Sequence, residues 1–356
     1  MAGEINKSCG LDIHKRFLIA TILSRSGEKQ QQRFDRDEDG ILSLRNWVTS
    51  EKCDVVACES TSDFWVPIHD SLIKHLPFIV GNARDMKAFT HKKTDKIDSE
   101  VIAKLALNDM VQPSRVFPKK HREYRSYVRL RHKLVQKSAK IRELLDREIS
   151  QSAAIRLQIC LKLIKNFDDS IELLGKEIFN YAYGNHKREM EILMSVPGIG
   201  ELGAATLIAE IDNFKDFASG DKLASWLGLV PNVYQSADKY HNGRITKRGS
   251  KVARWILTQI AQAAARTKNS KLKEFFNRKK KSIGHAKAII ALARKIAIII
   301  WHLITNDEMY EDETGYVKGE VKRRKIVETE IFSVDERISI ISEIFAIVEI
   351  KKPDIK

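Results

Sequence analysis

The sequence is short of the features that mark several large classes of protein. Its four cysteines, Cys9, Cys53, Cys58 and Cys160, show no CxxC spacing and no histidines cluster around them, which argues against a zinc site and a disulfide framework. Reduced, intracellular thiols are expected. The opening residues Ala2-Gly-Glu-Ile-Asn-Lys7 hold no apolar run of the kind that directs secretion. The most apolar late stretch, Ile296 to Thr305, falls short of the roughly 20 residues a bilayer span needs. A cytoplasmic protein with no membrane partner is the expectation, and no repeat period is visible. Negative charge is also in deficit, with 47 Asp and Glu against 62 Lys and Arg and a formal net charge of +15. A polyanionic partner is the natural inference, and a basic surface kept for solubility is the alternative.

What is present is enough for real cores, because 43% of the 356 residues are hydrophobic, and the length predicts two or three domains. Leu11 to Leu23 reads as two strands around a turn at His14-Lys15-Arg16, with a weaker third strand between Gly27 and Asp39. Helical spacing over Ile41–Thr49 and Phe64–Leu76 alternates with short apolar strands at Asp54–Cys58 and Phe78–Val80, which predicts an α/β sheet. A helix over Asp98–Leu107 follows, and Pro113 and Pro118 then break the chain.

Between Arg122 and Ile164 there is no glycine or proline, and Tyr127, Leu130, Leu134, Ile141 and Leu144 fall on a heptad seam, so a long helical hairpin or coiled coil is predicted. Its basic residues, Arg125 and Arg129 among them, fit either a nucleic-acid surface or a solvated helix face. Beyond it come an apolar helix at Ala204–Ile211, a glycine-rich basic stretch at Gly228–Ser250, and helices at Lys251–Arg266 and Ala286–Ile304. The expected domains are 1–115 (α/β), 116–188 (basic helical connector), 189–305 (mostly helical) and 306–356 (basic linker and an amphipathic helix around Val334–Val348).

Four acids stand out. Asp12 interrupts an apolar strand, a position that costs free energy unless a cation or donor satisfies it. Glu59 follows Val55-Val-Ala-Cys58 and so sits at the carboxyl end of a strand, where α/β folds build their sites. Asp95 and Asp98 lie three apart at a helix start, on one face, with Thr94 available as N-cap. Four hard oxygen donors suit Mg²⁺ or Mn²⁺ and phosphoryl-transfer chemistry. Taken singly, Asp98 fits equally a helix-dipole role and Glu59 a cap on the next turn.

The order of strand acid, strand-end acid and paired helix acids is similar to that of RuvC-like nucleases of the ribonuclease H superfamily. More narrowly, Gly10-Leu-Asp-Ile-His-Lys15, Cys58-Glu-Ser-Thr61 and Lys93-Thr-Asp-Lys-Ile-Asp98 resemble the DEDD transposases of the insertion sequence 110 family. Val196-Pro-Gly-Ile-Gly200, Leu227-Gly-Leu-Val-Pro231, Tyr234-Gln-Ser236 and Gly243-Arg-Ile-Thr-Lys-Arg-Gly249 look like that family's C-terminal transposase domain. The resemblance implies a ribonuclease-H-like (RuvC-like) first domain, a long helical connector and a mostly α-helical transposase domain. It further implies strand cleavage and rejoining of double-stranded DNA, a divalent metal on Asp12, Glu59, Asp95 and Asp98, and a serine nucleophile at Ser236. Homo-oligomers, dimeric or tetrameric, and a structured guide RNA encoded by the element are implied in the same way.

In the residues themselves Ser236 is an ordinary serine of a polar, exposed loop. The family's glycine after that serine is Ala237 here, so Ser225 and Ser250 remain alternatives. Gly198 and Gly200 resemble the turn of helix-hairpin-helix modules, which exposes N–H groups to a phosphate, and fit an ordinary turn between packed helices as well. Lys239, Arg244, Lys247, Arg248 and Arg254 around the serine are candidate phosphate contacts or solvated surface. His14 and Lys15 fit a phosphate contact or the strand turn. A junction-resolving nuclease using metal-activated water and a non-catalytic nucleic-acid-binding remnant are the other functions open to this chain.

Overall fold

The computed structural model describes residues 4–60, 62–82, 86, 95–149, 154–236 and 239–312. It divides into two units, 1–117 and 118–356.

In the first unit β1 (Lys7–Ile13), β2 (Phe17–Ser24) and β3 (Lys29–Asp35) form an antiparallel meander. β4 (Val55–Glu59) and β5 (Phe78–Gly81) extend it in parallel on the other side of β1, giving the order β3-β2-β1-β4-β5. Parallel strands are joined by crossovers, which cover the sheet faces and let the central strands be apolar on both sides. On one face α1 (Glu38–Ser50), capped by Asp37, and α2 (Val66–Leu72) bring Ile41, Leu44, Val48, Ile68 and Leu72 onto Cys9, Leu11, Val56 and Cys58. α2 is shorter than the predicted 64–76: it gives way after Leu72 to a turn over Ile73–His75, where His75 N–H donates to the Leu72 carbonyl, ahead of Pro77.

α3 (Asp95–Leu107) covers the other face, with Ile102, Leu105 and Ala106 on Val55 and Ala57. It is pinned by polar bonds that no periodicity announces: Ser8 Oγ donates to the Ala103 carbonyl at 2.8 Å, and the Thr21 and Ser99 hydroxyls pair at 2.8 Å. Gly10 permits this approach, since a Cβ there would collide with the backbone of Ser99 and Ala103. Gly10→Ala is therefore expected to push α3 off β1 and destabilise the unit by about 1–3 kcal/mol, as overpacking does, read as a lowered melting temperature.

The second unit is helical: α4 (Lys119–Ile149), α5 (Ala154–Asn185), α6 (Lys187–Ser195), α7 (Glu201–Ile211), α8 (Gly220–Trp226), α9 (Lys251–Arg266), α10 (Lys271–Ile283) and α11 (His285–Asn306). A two-stranded antiparallel ribbon, β6 (Pro231–Ser236) and β7 (Lys239–Ile245), rises between α8 and α9. Tyr124 and Val128 of α4 and Ile178 and Ala182 of α5 belong to the same core as α7, α9 and α11. The heptad seam is thereby displaced: Leu130 is 47% exposed while Tyr124 and Val128 are buried, because α4 packs on α7 as well as α5. α11 lies within two residues of the expected Ala286–Ile304 at each end and is the one helix among the described residues long and apolar enough to cross a membrane. Its face from Ala288 through Ile300 is spent on the core of this unit.

α7 is buried from Gly203 to Ile211 and carries one acid there, Glu210, at 0% exposure. Arg125 Nη2 and Arg129 Nε of α4 each meet its carboxylate at 2.8 Å, so both guanidinium groups are engaged by a buried acid, Arg125 mostly sheltered and Arg129 still 40% exposed. Burial pushes the Glu210 carboxyl up, but the hydrogen bonds and charges of Arg129 and Arg125 outweigh it and hold it below the usual range. Glu210→Gln is expected to destabilise the unit by about 3–5 kcal/mol in a denaturant melt, because two half-buried cations lose their partner. The wild-type contribution is complete above the ordinary glutamate value, about 4.3, and is lost as pH falls through the lower folded value.

Candidate functional site

β1 and β4 pair in parallel up to Leu11 with Cys58, and one step beyond come Asp12 and Glu59, side by side on neighbouring strands. Alternation decides their face: Ser8 and Gly10 on β1 and Ala57 on β4 contact α3, so Asp12 and Glu59, two residues on, belong to the α3 side. α3 runs counter to β1, since its contacts step back from Ala103 to Ser99 as the strand advances from Ser8 to Gly10. Its first turn, Asp95 to Asp98, therefore lies toward the Asp12 end of the strand.

Asp12 is mostly sheltered, with a side chain 15% exposed, and His14 Nε2 meets its Oδ2 at 3.0 Å. The His14 ring also lies 4.7 Å from Phe17. The turn residue thus orients the strand acid, a pairing that spacing alone does not reveal. The side chain of Asp95, along with Thr94, lies outside the described residues. Among the described residues no three His, Cys, Asp or Glu side chains are gathered as a metal cluster.

In the second unit Ser236 ends β6, paired with Lys239 of β7, so it belongs to the tip of a ribbon and not to an irregular loop. The sequence does not signal these strands, because β6 and β7 are polar and lack a clean apolar alternation. The side chains of Ser236, Lys239, Tyr240 and His241, and residue Ala237, lie outside the described residues. Of the alternative serines, Ser225 is exposed on α8, whereas Ser250 is buried and its Oγ accepts from the N–H groups of Val252 and Ala253, capping α9.

The base of the ribbon is braced. Gly228 and Gly249 both have positive φ, and a Cβ on either would strike backbone across the loop, at Arg248 and Trp226 respectively. Arg254 Nη1 donates to the carbonyls of Leu227 at 3.0 Å, of Gly249 at 3.1 Å and of Arg248. Arg254, expected to hold phosphate, has this nitrogen committed to the protein backbone. Arg244, Lys247 and Arg248 are exposed.

Gly198 has φ +90, and a Cβ there would come within 2.7 Å of Ala264 N and Ile260 O of α9, so packing accounts for that glycine. Gly200 is exposed with open space beside it. The turn borders a cavity of about 930 Å³ whose lining mixes Arg131 and Lys176 with Asp168, Glu172 and Glu201, a balance of signs that gives a phosphate little preference.

Two family models match, in chain order. Residues 9–149 fit a DEDD-type model described as a transposase, and residues 190–277 fit the model described as transposase IS116/IS110/IS902 family. Among relatives, a putative transposase of Sinorhizobium fredii is 31% identical over 131 residues, covering 35% of this chain and 33% of its own. The transposase for insertion sequence element IS1111A of Coxiella burnetii is 32% identical over 152 residues, 41% of this chain and 40% of its own. Those alignments thus span well under half of either relative. A pilin gene-inverting protein of Moraxella bovis is 24% identical over 323 residues, which is 85% of this chain and 97% of that one. With both halves of the chain matched by models of the same kind, in the same order, the chain belongs to the IS116/IS110/IS902 family of transposases.

Proposed function

We propose that this protein cleaves and rejoins DNA strands of a mobile element, with a ribonuclease-H-like first domain supplying a carboxylate site and the second unit supplying a serine nucleophile. The observation that carries the reading is the placement of Asp12 and Glu59 on neighbouring parallel strands, on the face crossed by α3, with the first turn of that helix at their end of the sheet. An antiparallel meander continued by parallel strands supports the ribonuclease-H-like assignment. The names of the relatives, transposases and a gene-inverting protein, describe movement of DNA segments.

The donor set is hard oxygen throughout, which fits Mg²⁺ or Mn²⁺, and Asp12, Glu59, Asp95 and Asp98 are the residues that would hold it. When bound, such an ion offsets the charge that builds on phosphate oxygens during cleavage. His14 fixes the orientation of Asp12 through its 3.0 Å contact. Ser236 supplies the oxygen that bonds phosphorus as the bridging oxygen of the strand leaves. One phosphoester replaces another, so rejoining needs no external energy source. Lys239 pairs with the serine at the tip of the ribbon, and Arg244, Lys247 and Arg248 toward its base hold the DNA backbone without reading sequence. Target choice by a structured RNA and assembly of two or four copies complete the reading, and both rest on the family.

The test is a recombination assay: protein, Mg²⁺, the element's RNA and a plasmid carrying the element's ends. Rejoined junctions that vanish with chelator are expected. Nicks with free ends and no rejoining would instead indicate a nuclease that uses water.

A further inference from the structure

α10 is the most basic stretch of the second unit, with Lys271, Lys273, Arg278, Lys279, Lys280 and Lys281 against the single acid Glu274, and Lys287 follows on α11. Buried Leu272 and Phe276 fasten one side of it to the core, and Ser270 caps its start. The neighbouring side carries half-buried Phe275, and three cations converge on that ring. Lys295 Nζ of α11 lies 4.5 Å from its centre, the Arg278 guanidinium carbon 5.7 Å and Lys279 Nζ 5.9 Å. Among the described residues, Arg278, Lys279, Lys280, Lys281, Lys287 and Lys295 take no carboxylate partner.

The ring's negative face compensates such cations only in part. Lys295 shows the strain, its ammonium disfavoured first by burial and then by Arg278 and Lys271. Like charges held together by packing, without a carboxylate partner for Arg278, Lys279 or Lys295 among the described residues, are stabilised by an anion from outside. A row of them suits a polyanion. The row is long enough, since 13 residues of helix rise about 20 Å, roughly six nucleotides of one B-form strand. A membrane surface would call for an exposed apolar stripe, but on α10 Leu272 and Phe276 are buried and Ile283 at its end is the one exposed large apolar side chain. The family match stops at residue 277, before Arg278 and all of α11.

We propose that α10 and the first half of α11 form a second DNA surface, separate from the serine ribbon, that binds the phosphodiester backbone of duplex DNA by charge without reading bases. This rests on the reading of the chain as a nucleic-acid enzyme. The test uses the full chain as wild type and as the variant Arg278→Ala, Lys279→Ala, Lys281→Ala, Lys295→Ala. Each is titrated by fluorescence anisotropy with duplex DNA and with structured RNA between about 50 and 200 mM salt. On duplex DNA the variant should bind at least roughly tenfold more weakly at low salt. Its salt slope should be smaller by up to about 3.6, since each of the four lost cations that neutralises a phosphate adds about 0.9. A variant with arginine at the three lysine positions should keep the slope, which separates lost charge from lost packing. Acetylation footprinting of Lys279, Lys281 and Lys295 reads the surface directly: protection by duplex DNA supports it, and protection by structured RNA alone overturns it. Wild type that binds while the alanine variant matches it overturns this inference and leaves the proposed function standing. Wild type that binds neither nucleic acid overturns both.

Discussion

Glu59→Gln, Asp12→Asn and Asp98→Asn should each lower strand cleavage by roughly 10³-fold, the equivalent of about 4 kcal/mol at the transition state, while nucleic-acid binding changes little. Each substitution keeps the shape of the side chain and removes one anionic oxygen donor. The three sit differently, and this makes the comparison informative. Asp12 is sheltered and held by His14, so Asp12→Asn also alters a polar contact and a thermal melt is needed beside the assay. Glu59 ends β4 and Asp98 lies in the first turn of α3, where loss of charge has less to disturb. Full turnover in Mg²⁺ for any two of the three variants would remove the carboxylate site.

Ser236→Ala is the second large effect, a loss of recombination to background with cleavage-site binding intact. The substitution deletes one oxygen at the end of a polar ribbon, five residues along β6 from the strand end next to the brace of Gly228, Gly249 and Arg254. Ser225→Ala is the matched control, since Ser225 is exposed on α8 and should recombine normally. Ser250→Ala should lower stability by about 1 kcal/mol through loss of the α9 cap, without abolishing chemistry in the protein that stays folded.

Much of this was legible in the residues, and the reasons differ by element. The β1–β2 hairpin, β4, β5 and α9 carry long or cleanly bounded apolar patterns, and the structure has them where the periodicity put them. α10 was not legible because only Leu272 and Phe276 mark its buried face amid lysines, and the β6–β7 ribbon because its strands alternate poorly. Which charges face inward is also invisible to periodicity. Arg125, Arg129 and Arg254 read as surface cations, yet a buried Glu210 and three loop carbonyls claim them. The glycines at 10, 198, 228 and 249 explain themselves only once the opposing backbone is known.

The decisive measurement is the fate of the cut DNA end. Wild-type protein, cognate DNA, the element's RNA and Mg²⁺ are quenched during turnover, the complex is digested, and peptides are searched for a nucleotide adduct by mass spectrometry. A phosphoester on the peptide that contains Ser236, absent in Ser236→Ala, is the expected result. An adduct on Ser225 would move the nucleophile to α8, and free 5′ ends with no serine modified would contradict the serine mechanism outright.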